Sequence, residues 1–246
     1  MNREDTAFVY TLSSRKGMVQ QALRSIATLK QHVEPEQIRI FYTPPYDKKD
    51  EKALEATGAE IIKKENQTEA FNVSRSLPES HYGEKINLCN IDAENVVFLD
   101  CDTVVGNNIW EVLEGDFEFK ARPEDPPDEE KWRPLFEKYE EPYMDWMPNA
   151  GFLVFKKGVH KELEKKWLKY FKEMDIQRGK VNHREQYALA LATASGKVEK
   201  MTSKEHTLEW LEEKTPDAYV YHIEQAAGSS VLNLAKNYIK NLRFYD

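Results

Sequence analysis

The sequence predicts an α/β fold with a mostly parallel central sheet flanked by helices. The first hundred residues alternate short β-rich apolar segments with segments of helical periodicity, an order that builds parallel strands joined by helical crossovers. The last strand of this half ends in two aspartates, at the sheet edge where such proteins bind ligands.

Each element of the first half has its own signal. Apolar residues at positions 19, 22, 23, 26 and 29 have the spacing of one helix face. Gly58 follows the second helical segment, where a C-terminal glycine is common. The predicted order is a strand at Ala7–Leu12, a helix at Met18–His32, a strand at Gln37–Thr43, a helix at Glu51–Ala56, a strand at Glu60–Ile62, a helix ending at Leu88–Ile91 and a strand from Val96.

The second half is less regular. Glu111–Pro148 is rich in acidic, proline and aromatic residues, and predicts an irregular excursion over the mouth of the site. The aromatic cluster in this stretch is expected to be partly core, with one or two of its rings at the mouth of the site. The remaining prediction is a strand at Phe152–Phe155, helices at Lys161–Met174 and Arg184–Ala194, a strand at Tyr219–Ile223 and a mildly basic terminal helix at Val231–Tyr245.

Composition narrows the class of protein. The chain has 246 residues, enough for one large domain with a substantial core. The net charge is -8, with 43 acidic against 35 basic residues, which disfavours a general nucleic-acid binder. Cys89 and Cys101 stand in no zinc or redox spacing, no apolar run has the length of a membrane span, and the first residues do not resemble a signal peptide. These features predict a cytoplasmic protein.

The pair Asp100 and Asp102 is the strongest chemical signal. Strand alternation directs both carboxylates to one side and Cys101 to the opposite side, into packing. Two neighbouring carboxylates repel each other unless a cation lies between them, and Mg²⁺ or Mn²⁺ prefers such oxygen ligands. The pair therefore predicts a metal-assisted enzyme that acts on a phosphorylated or nucleotide-activated substrate.

Several segments, taken in order, resemble one family. Phe98–Val105 (FLDCDTVV) is similar to an apolar strand with an Asp-x-Asp motif, Asn149–Val154 (NAGFLV) to an Asn-Ala-Gly strand, and Glu185–Leu189 (EQYAL) to the start of a helix. The opening strand with its helix and Tyr82–Lys85 are fainter matches. Together they resemble the GT-A nucleotide-sugar glycosyltransferases, closest to family 8, the group of glycogenin and bacterial galactosyltransferases.

The resemblance implies a single GT-A domain over residues 1–246, with a nucleotide-binding half at 1–105 and a sugar and acceptor half at 106–246. It implies metal-dependent transfer of a sugar, with retention of configuration, from a nucleotide diphosphate donor, a UDP-sugar being favoured. The cofactor would be Mn²⁺ or Mg²⁺, and its implied ligands are Asp100, Asp102 and His222.

The other site residues are also implied by the resemblance. The residues expected at the nucleotide are Tyr10, Thr11, Ser13, Arg15, Lys85 and Asp100, and those expected to line the sugar and take part in catalysis are Asn149, Glu185 and Gln186. Gln186 or Glu185 would stabilise an oxocarbenium-like sugar while the leaving phosphate takes the acceptor proton. The chain departs from the family at Leu12–Ser14, where acidic residues are usual, and at Ala226–Ser230, where the family has Lys-Pro-Trp.

The acceptor is open between a glycan, a lipid or lipid-linked molecule, a protein and a small molecule. The terminal segment 231–245 either packs on the domain or makes peripheral contact with a membrane. Three other functions are alternatives: a haloacid-dehalogenase-like phosphatase, whose first motif is also an Asp-x-Asp after an apolar strand, a sugar nucleotidyltransferase, and a non-catalytic sugar-nucleotide-binding protein. The phosphatase motif normally ends the first core strand, whereas Asp100 follows about a hundred residues of α/β pattern.

Overall fold

The computed structural model describes residues 3–15, 17–67, 82–126, 129–174, 184–211 and 215–223. The predicted terminal helix at 231–245 and the segment 226–230 lie outside the described residues. The strands are β1 (Thr6–Leu12), β2 (Ile38–Tyr42), β3 (Glu60–Lys63), β4 (Asn95–Leu99), β5 (Thr103–Val105), β6 (Phe119–Glu124), β7 (Met147–Phe155), β8 (Val198–Lys200), β9 (His206–Leu208) and β10 (Val220–His222). The α-helices are α1 (Met18–Leu29), α2 (Lys48–Glu55), α3 (Glu129–Tyr139), α4 (Val159–Glu173) and α5 (Arg184–Thr193).

The main sheet has seven strands in the order β3-β2-β1-β4-β7-β6-β8. Strands β3, β2, β1 and β4 pair in parallel, as do β6 and β8, whereas β7 is antiparallel to both of its neighbours. The prediction of a mostly parallel central sheet flanked by helices is therefore confirmed. A separate small sheet has the order β5-β10-β9 and brings the last described strand beside the two aspartates.

Two hydrophobic cores lie on the two faces of the main sheet. All seven residues of β1 are buried, and alternation sends Val9 into one core and Phe8 and Tyr10 into the other. Helix α1 contributes Ile26 to the second core, and α4 contributes Trp167 to the first. Because helices cover both faces, the carboxyl ends of β1 and β4 are the open edge of the parallel half.

Local chemistry explains where the first two helices begin. Gly17 has φ +80°, a left-handed conformation that glycine adopts without steric cost, and α1 starts directly after it. Asp47 caps α2, because its side chain accepts hydrogen bonds from the backbone N–H groups of Lys49 and Asp50. Helix α2 therefore begins three residues earlier than the apolar spacing indicated.

The prediction of an irregular excursion over Glu111–Pro148 is wrong. This stretch contains β6, which lies inside the main sheet, and α3, which buries Trp132 and Phe136 one turn apart. Prolines concealed both elements: the register of β6 against β7 shifts between Ala121 and Pro123, where a bulge tolerates the missing N–H, and α3 includes Pro134. The aromatic residues of α3 are thus core residues, whereas Tyr143 is 44% exposed.

The strand that precedes the aspartates ends sooner than predicted. Strand β4 stops at Leu99, and Asp100–Asp102 forms a turn before the short strand β5. Cys101 is nevertheless buried in the second core, as the alternation argument expected. Within the described ranges, none of the helices combines the length and apolar character needed to cross a membrane.

Candidate active site

The turn at Asp100 and Asp102 is fixed from three sides. The backbone N–H of Asp100 donates to the carbonyl of Gly151 on β7 at 2.8 Å. The hydroxyl of Thr103 donates to the carbonyl of Asp100, also at 2.8 Å, which closes the turn. The backbone N–H of Ile223 donates to the carbonyl of Asp102 at 3.0 Å and joins the turn to the end of β10. The main chain thus presents both carboxylates from a rigid turn.

A buried chain of hydroxyl groups supports this turn from behind. The hydroxyl of Tyr10 is 2.8 Å from that of Ser25, which is 2.9 Å from that of Thr103. Tyr10 and Ser25 have no solvent exposure, so these hydrogen bonds face no competition from water. Helix α1 is therefore tied to the aspartate turn, and the structure directs the Tyr10 hydroxyl towards α1.

His222 on β10 completes a cluster with the two aspartates. Its Nε2 lies 3.2 Å from Oδ1 of Asp102, and one potential ligand atom from each of Asp100, Asp102 and His222 lies within 4.8 Å of the others. Two carboxylate oxygens and an imidazole nitrogen form a donor set that suits Mn²⁺ or Mg²⁺, and the imidazole nitrogen favours Mn²⁺ over Mg²⁺. The residues present therefore fit a divalent cation.

The charges in this cluster compensate each other. Lys85, from the 3₁₀ helix Tyr82–Asn90, places its Nζ 2.8 Å from Oδ2 of Asp100 and 3.0 Å from the carbonyl oxygen of Ala150. Burial raises the pKa of Asp100, and Lys85 opposes that effect only in part. Burial would also raise the pKa of Asp102 and lower that of His222, but their mutual attraction outweighs it, so the pKa of Asp102 falls and that of His222 rises.

The position of His222 explains why residue 151, in the Asn-Ala-Gly strand, is a glycine. A Cβ at this position would lie 2.1 Å from Cε1 and 2.3 Å from Nδ1 of His222, and 3.0 Å from Oδ1 of Asn149. Atoms in ordinary contact are at least 3.4 Å apart, so the histidine ring occupies the space of the missing side chain. The absence of a side chain on β7 thus lets His222 approach the aspartates.

Glu124, at the end of β6, organises the sugar side of the site. Its Oε2 accepts hydrogen bonds from the side-chain amides of Asn149 at 3.1 Å and Gln186 at 3.3 Å, and its Oε1 accepts one from the indole of Trp210 at 2.8 Å. No sequence pattern singled out Glu124 or Trp210: the first stands in a proline-rich stretch and the second in a short 3₁₀ turn. What directs Glu124 into the site is visible only in the folded chain: the register of β6 shifts between Ala121 and Pro123, and bulges re-aim side chains beside active sites.

Glu185 lies in the first turn of α5, beside this group. It is 4% exposed, and burial raises its pKa to about 7; Lys85 opposes the shift, whereas the negative charges of Asp100 and Glu124 add to it. A carboxyl group that titrates near neutrality in a partly apolar site is a common feature of functional sites. The backbone carbonyl of Glu185 accepts a hydrogen bond from the Trp167 indole at 3.1 Å, which fixes the start of the helix.

The end of β1 presents buried hydroxyl groups to the same edge of the sheet. The side-chain oxygens of Thr11 and Ser13 are buried and have no hydrogen-bond partner among the residues that the structure describes. Buried polar atoms are normally paired, so these two fit a polar ligand. Arg15 follows, partly exposed, just before α1. The structure thus gathers Asp100, Asp102, His222 and Lys85 in one cluster, Asn149 and Gln186 in a second, and Thr11 and Ser13 at the end of β1.

Comparisons with known proteins identify the fold. No protein-family model matches the chain, and no curated protein matches it in sequence. The chain is similar to the galactosyltransferase LgtC, solved with donor and acceptor sugar analogues, at 14% identity and a TM-score of 0.62, over 94% of this chain and 95% of that one. It is also similar to the glycosyltransferase GlyE of Streptococcus pneumoniae (12%, TM-score 0.61, 95% of this chain and 60% of that one) and to mouse xyloside xylosyltransferase 1 (10%, TM-score 0.55, 90% and 98%).

These structural likenesses span nearly the whole chain. They show that the chain has the GT-A fold of these glycosyltransferases, as the resemblance of its sequence motifs implied. At such low identity the likeness is one of fold, so the activity must be argued from the site.

Proposed function

We propose that this protein is a metal-dependent glycosyltransferase that moves a sugar from a nucleotide diphosphate donor to an acceptor. The observation that supports it most is the cluster of Asp100, Asp102 and His222 at the carboxyl edge of a GT-A sheet. These residues come from β10 and from the turn after β4, which are distant in sequence. A structural role does not require two carboxylates to converge on a histidine at this edge.

Asp100, Asp102 and His222 would hold Mn²⁺ or Mg²⁺. When bound, such an ion neutralises the negative charge that develops on a leaving diphosphate. Asp102 would be the more direct ligand, with Asp100 shared between the metal and the ribose. Lys85 compensates Asp100 in the structure and provides a second positive charge for the phosphates.

The donor would lie across the edge of the sheet. The buried hydroxyls of Thr11 and Ser13 offer hydrogen bonds to the nucleoside, with Tyr10 and Arg15 beside them, and a UDP-sugar is favoured by the resemblance to family 8. Asn149, Glu185 and Gln186 would surround the sugar. Retention of configuration, with Gln186 or Glu185 stabilising an oxocarbenium-like sugar, is part of this proposal. The proposal also includes the division of the domain at residue 105 into a nucleotide-binding half and a sugar and acceptor half, and a cytoplasmic location.

The test is donor binding and slow donor hydrolysis, with water as the acceptor. The protein is incubated with a panel of UDP-, GDP- and other nucleotide sugars, with Mn²⁺ or with EDTA. We expect one donor to be bound and hydrolysed only with metal, and Asp102→Ala to abolish both. The anomer first released, followed by proton NMR, reports retention or inversion.

Asp116→Ala is a matched control, because this exposed carboxylate pairs with Lys157 and Lys197 away from the cluster. It should behave as the wild type does. If no nucleotide sugar binds and a phosphomonoester is hydrolysed instead, the protein is a phosphatase. If a nucleotide sugar binds without hydrolysis or transfer, it is a binding protein.

Gln186 has its own test within the same assay. Gln186→Ala should slow sugar transfer more than it weakens donor binding, because an oxocarbenium-like sugar exists only in the transition state. Unchanged transfer would remove Gln186 from the mechanism.

A further inference from the structure

Trp210 is an exposed aromatic side chain at the junction of the two halves of the site. Of the four large exposed apolar side chains that the described residues include, Trp210 is the one that contacts both His222 and Glu124; the others are Tyr46, Tyr143 and Leu211. Its ring centroid lies 5.0 Å from that of His222, with the planes at 73°. It is thus next to the metal cluster and to the Glu124 group at once.

The indole is held in place although it is 38% exposed. Its N–H donates to Glu124, whose other oxygen binds Asn149 and Gln186, and one side of the ring meets His222. His222 is backed in turn by His206, whose ring is nearly parallel to it at 5.6 Å. Since its one polar atom is bound within the protein, the part of the indole that faces solvent is hydrocarbon.

We propose that Trp210 is the platform on which the acceptor stacks, and that the acceptor is therefore a sugar ring. This inference rests on the proposed function and specifies its second substrate. A pyranose has a face of C–H groups that packs on an aromatic ring, whereas its hydroxyls remain free for hydrogen bonds. A platform that is already fixed loses little conformational entropy when a ring packs on it.

Burial distinguishes the acceptor from the donor at this position. Asn149 and Gln186 are 4% and 7% exposed, so a sugar that they line lies deeper than one that packs on Trp210. Trp210 is much more exposed and stands outside them, where a second substrate arrives. Substitution of Trp210 should consequently affect the acceptor more than the donor.

The experiment compares Trp210→Leu and Trp210→Phe with Leu211→Ala, which removes an exposed apolar side chain from the same turn. The probes are methyl β-D-glucoside and methyl β-D-galactoside as ring acceptors and glycerol as a ring-free one, with the donor identified by the hydrolysis assay. In Trp210→Leu we expect the KM for the better glycoside to rise on the order of tenfold, and by at least several times more than the donor KM. Trp210→Phe should lie between, and Leu211→Ala should match the wild type.

Binding gives a second readout that does not depend on turnover. With UDP and Mg²⁺ present, the glycoside should shift the indole fluorescence of the wild type, and this shift should be absent from Trp210→Phe. An equal loss of donor and acceptor affinity in Trp210→Leu would overturn the inference and assign Trp210 a structural role at His222. The inference would also be overturned if sugar were transferred to glycerol as efficiently as to the glycosides. It would be overturned as well if the wild-type protein hydrolysed the donor but bound neither glycoside. Absence of donor hydrolysis in the wild type would instead refute the proposed function.

Discussion

Substitution of Gly151 by alanine is the sharpest test of the site geometry. The added Cβ would lie 2.1 Å from Cε1 and 2.3 Å from Nδ1 of His222, whereas ordinary contacts begin at 3.4 Å. The imidazole must therefore move by about 1 Å or more, because β7 is an interior strand that pairs with β4 and β6 and cannot yield easily. A ligand displaced by about 1 Å should weaken metal binding on the order of 100-fold.

The assay is a titration with Mn²⁺, followed by calorimetry, beside urea denaturation. Overpacking of the strand should lower the free energy of unfolding by about 1–3 kcal/mol. Gly196→Ala is the matched control, since its Cβ would meet only the end of the flexible Glu118 side chain at 3.0 Å and the carbonyl of Thr193 at 3.4 Å. This control should keep the metal affinity and the stability of the wild type.

The double variant Gly151→Ala with His222→Ala separates steric overlap from general damage to the strand. If the ring causes the effect, removal of His222 should restore part of the stability lost in Gly151→Ala, although metal binding stays weak. Wild-type metal affinity in Gly151→Ala would refute the reasoning, because His222 could then not be held where the structure has it. A double variant whose losses simply add would refute the steric cause.

Three further results are expected. Burial raises the pKa of Glu185 to about 7 from an ordinary 4.5, so between these pH values the carboxyl group is protonated in the folded state and ionised in the unfolded state. The free energy of unfolding should therefore fall as the pH rises from 4.5 to about 7. Glu185→Gln should abolish this fall in urea melts at several pH values, and an unchanged pH dependence would contradict the prediction. Lys85→Met leaves the Asp100 carboxylate without its cation and should cost about 3 kcal/mol of stability, partly recovered with Mn²⁺; equal stability with and without Lys85 would argue against the ion pair. Ser25→Ala breaks the hydroxyl chain behind Thr103 and should cost about 1–2 kcal/mol, whereas a thermal midpoint like that of the wild type would show that these hydroxyls contribute nothing.

The parallel half of the fold was predictable because its signals are local. Strand β1 contains an uninterrupted apolar run from Ala7 to Tyr10, and α1 has apolar residues at helical spacing, so the sequence pattern placed both within a few residues. Helix ends were less accurate, because capping decided them: Asp47 caps α2, which begins at Lys48, three residues before the predicted start at Glu51. The second half was harder, since Pro123 and Pro134 suggest loops where a bulge and a helix exist.

The site was predictable where a motif is contiguous in sequence. Asp100 and Asp102 stand one residue apart, and the structure keeps both in one cluster even though a turn, not a continued strand, presents them. Glu124 and Trp210 could not be found in this way, because their importance lies in contacts with Asn149, Gln186 and His222 that only the folded chain creates. The sequence contains these residues, but no spacing links them.

The small sheet β5-β10-β9 has a consequence for the order in which the chain folds. Strands β1, β2 and β3 pair with their neighbours in sequence, and β4 then pairs with β1. His222 reaches Asp102 only when β10 docks beside β5, after most of the chain has been placed. Such long-range closure comes late in folding. A cation bound by Asp102 and His222 would stabilise β10 in its docked position beside β5. Metal should therefore slow unfolding and should protect β10 from proteolysis more than it protects the main sheet.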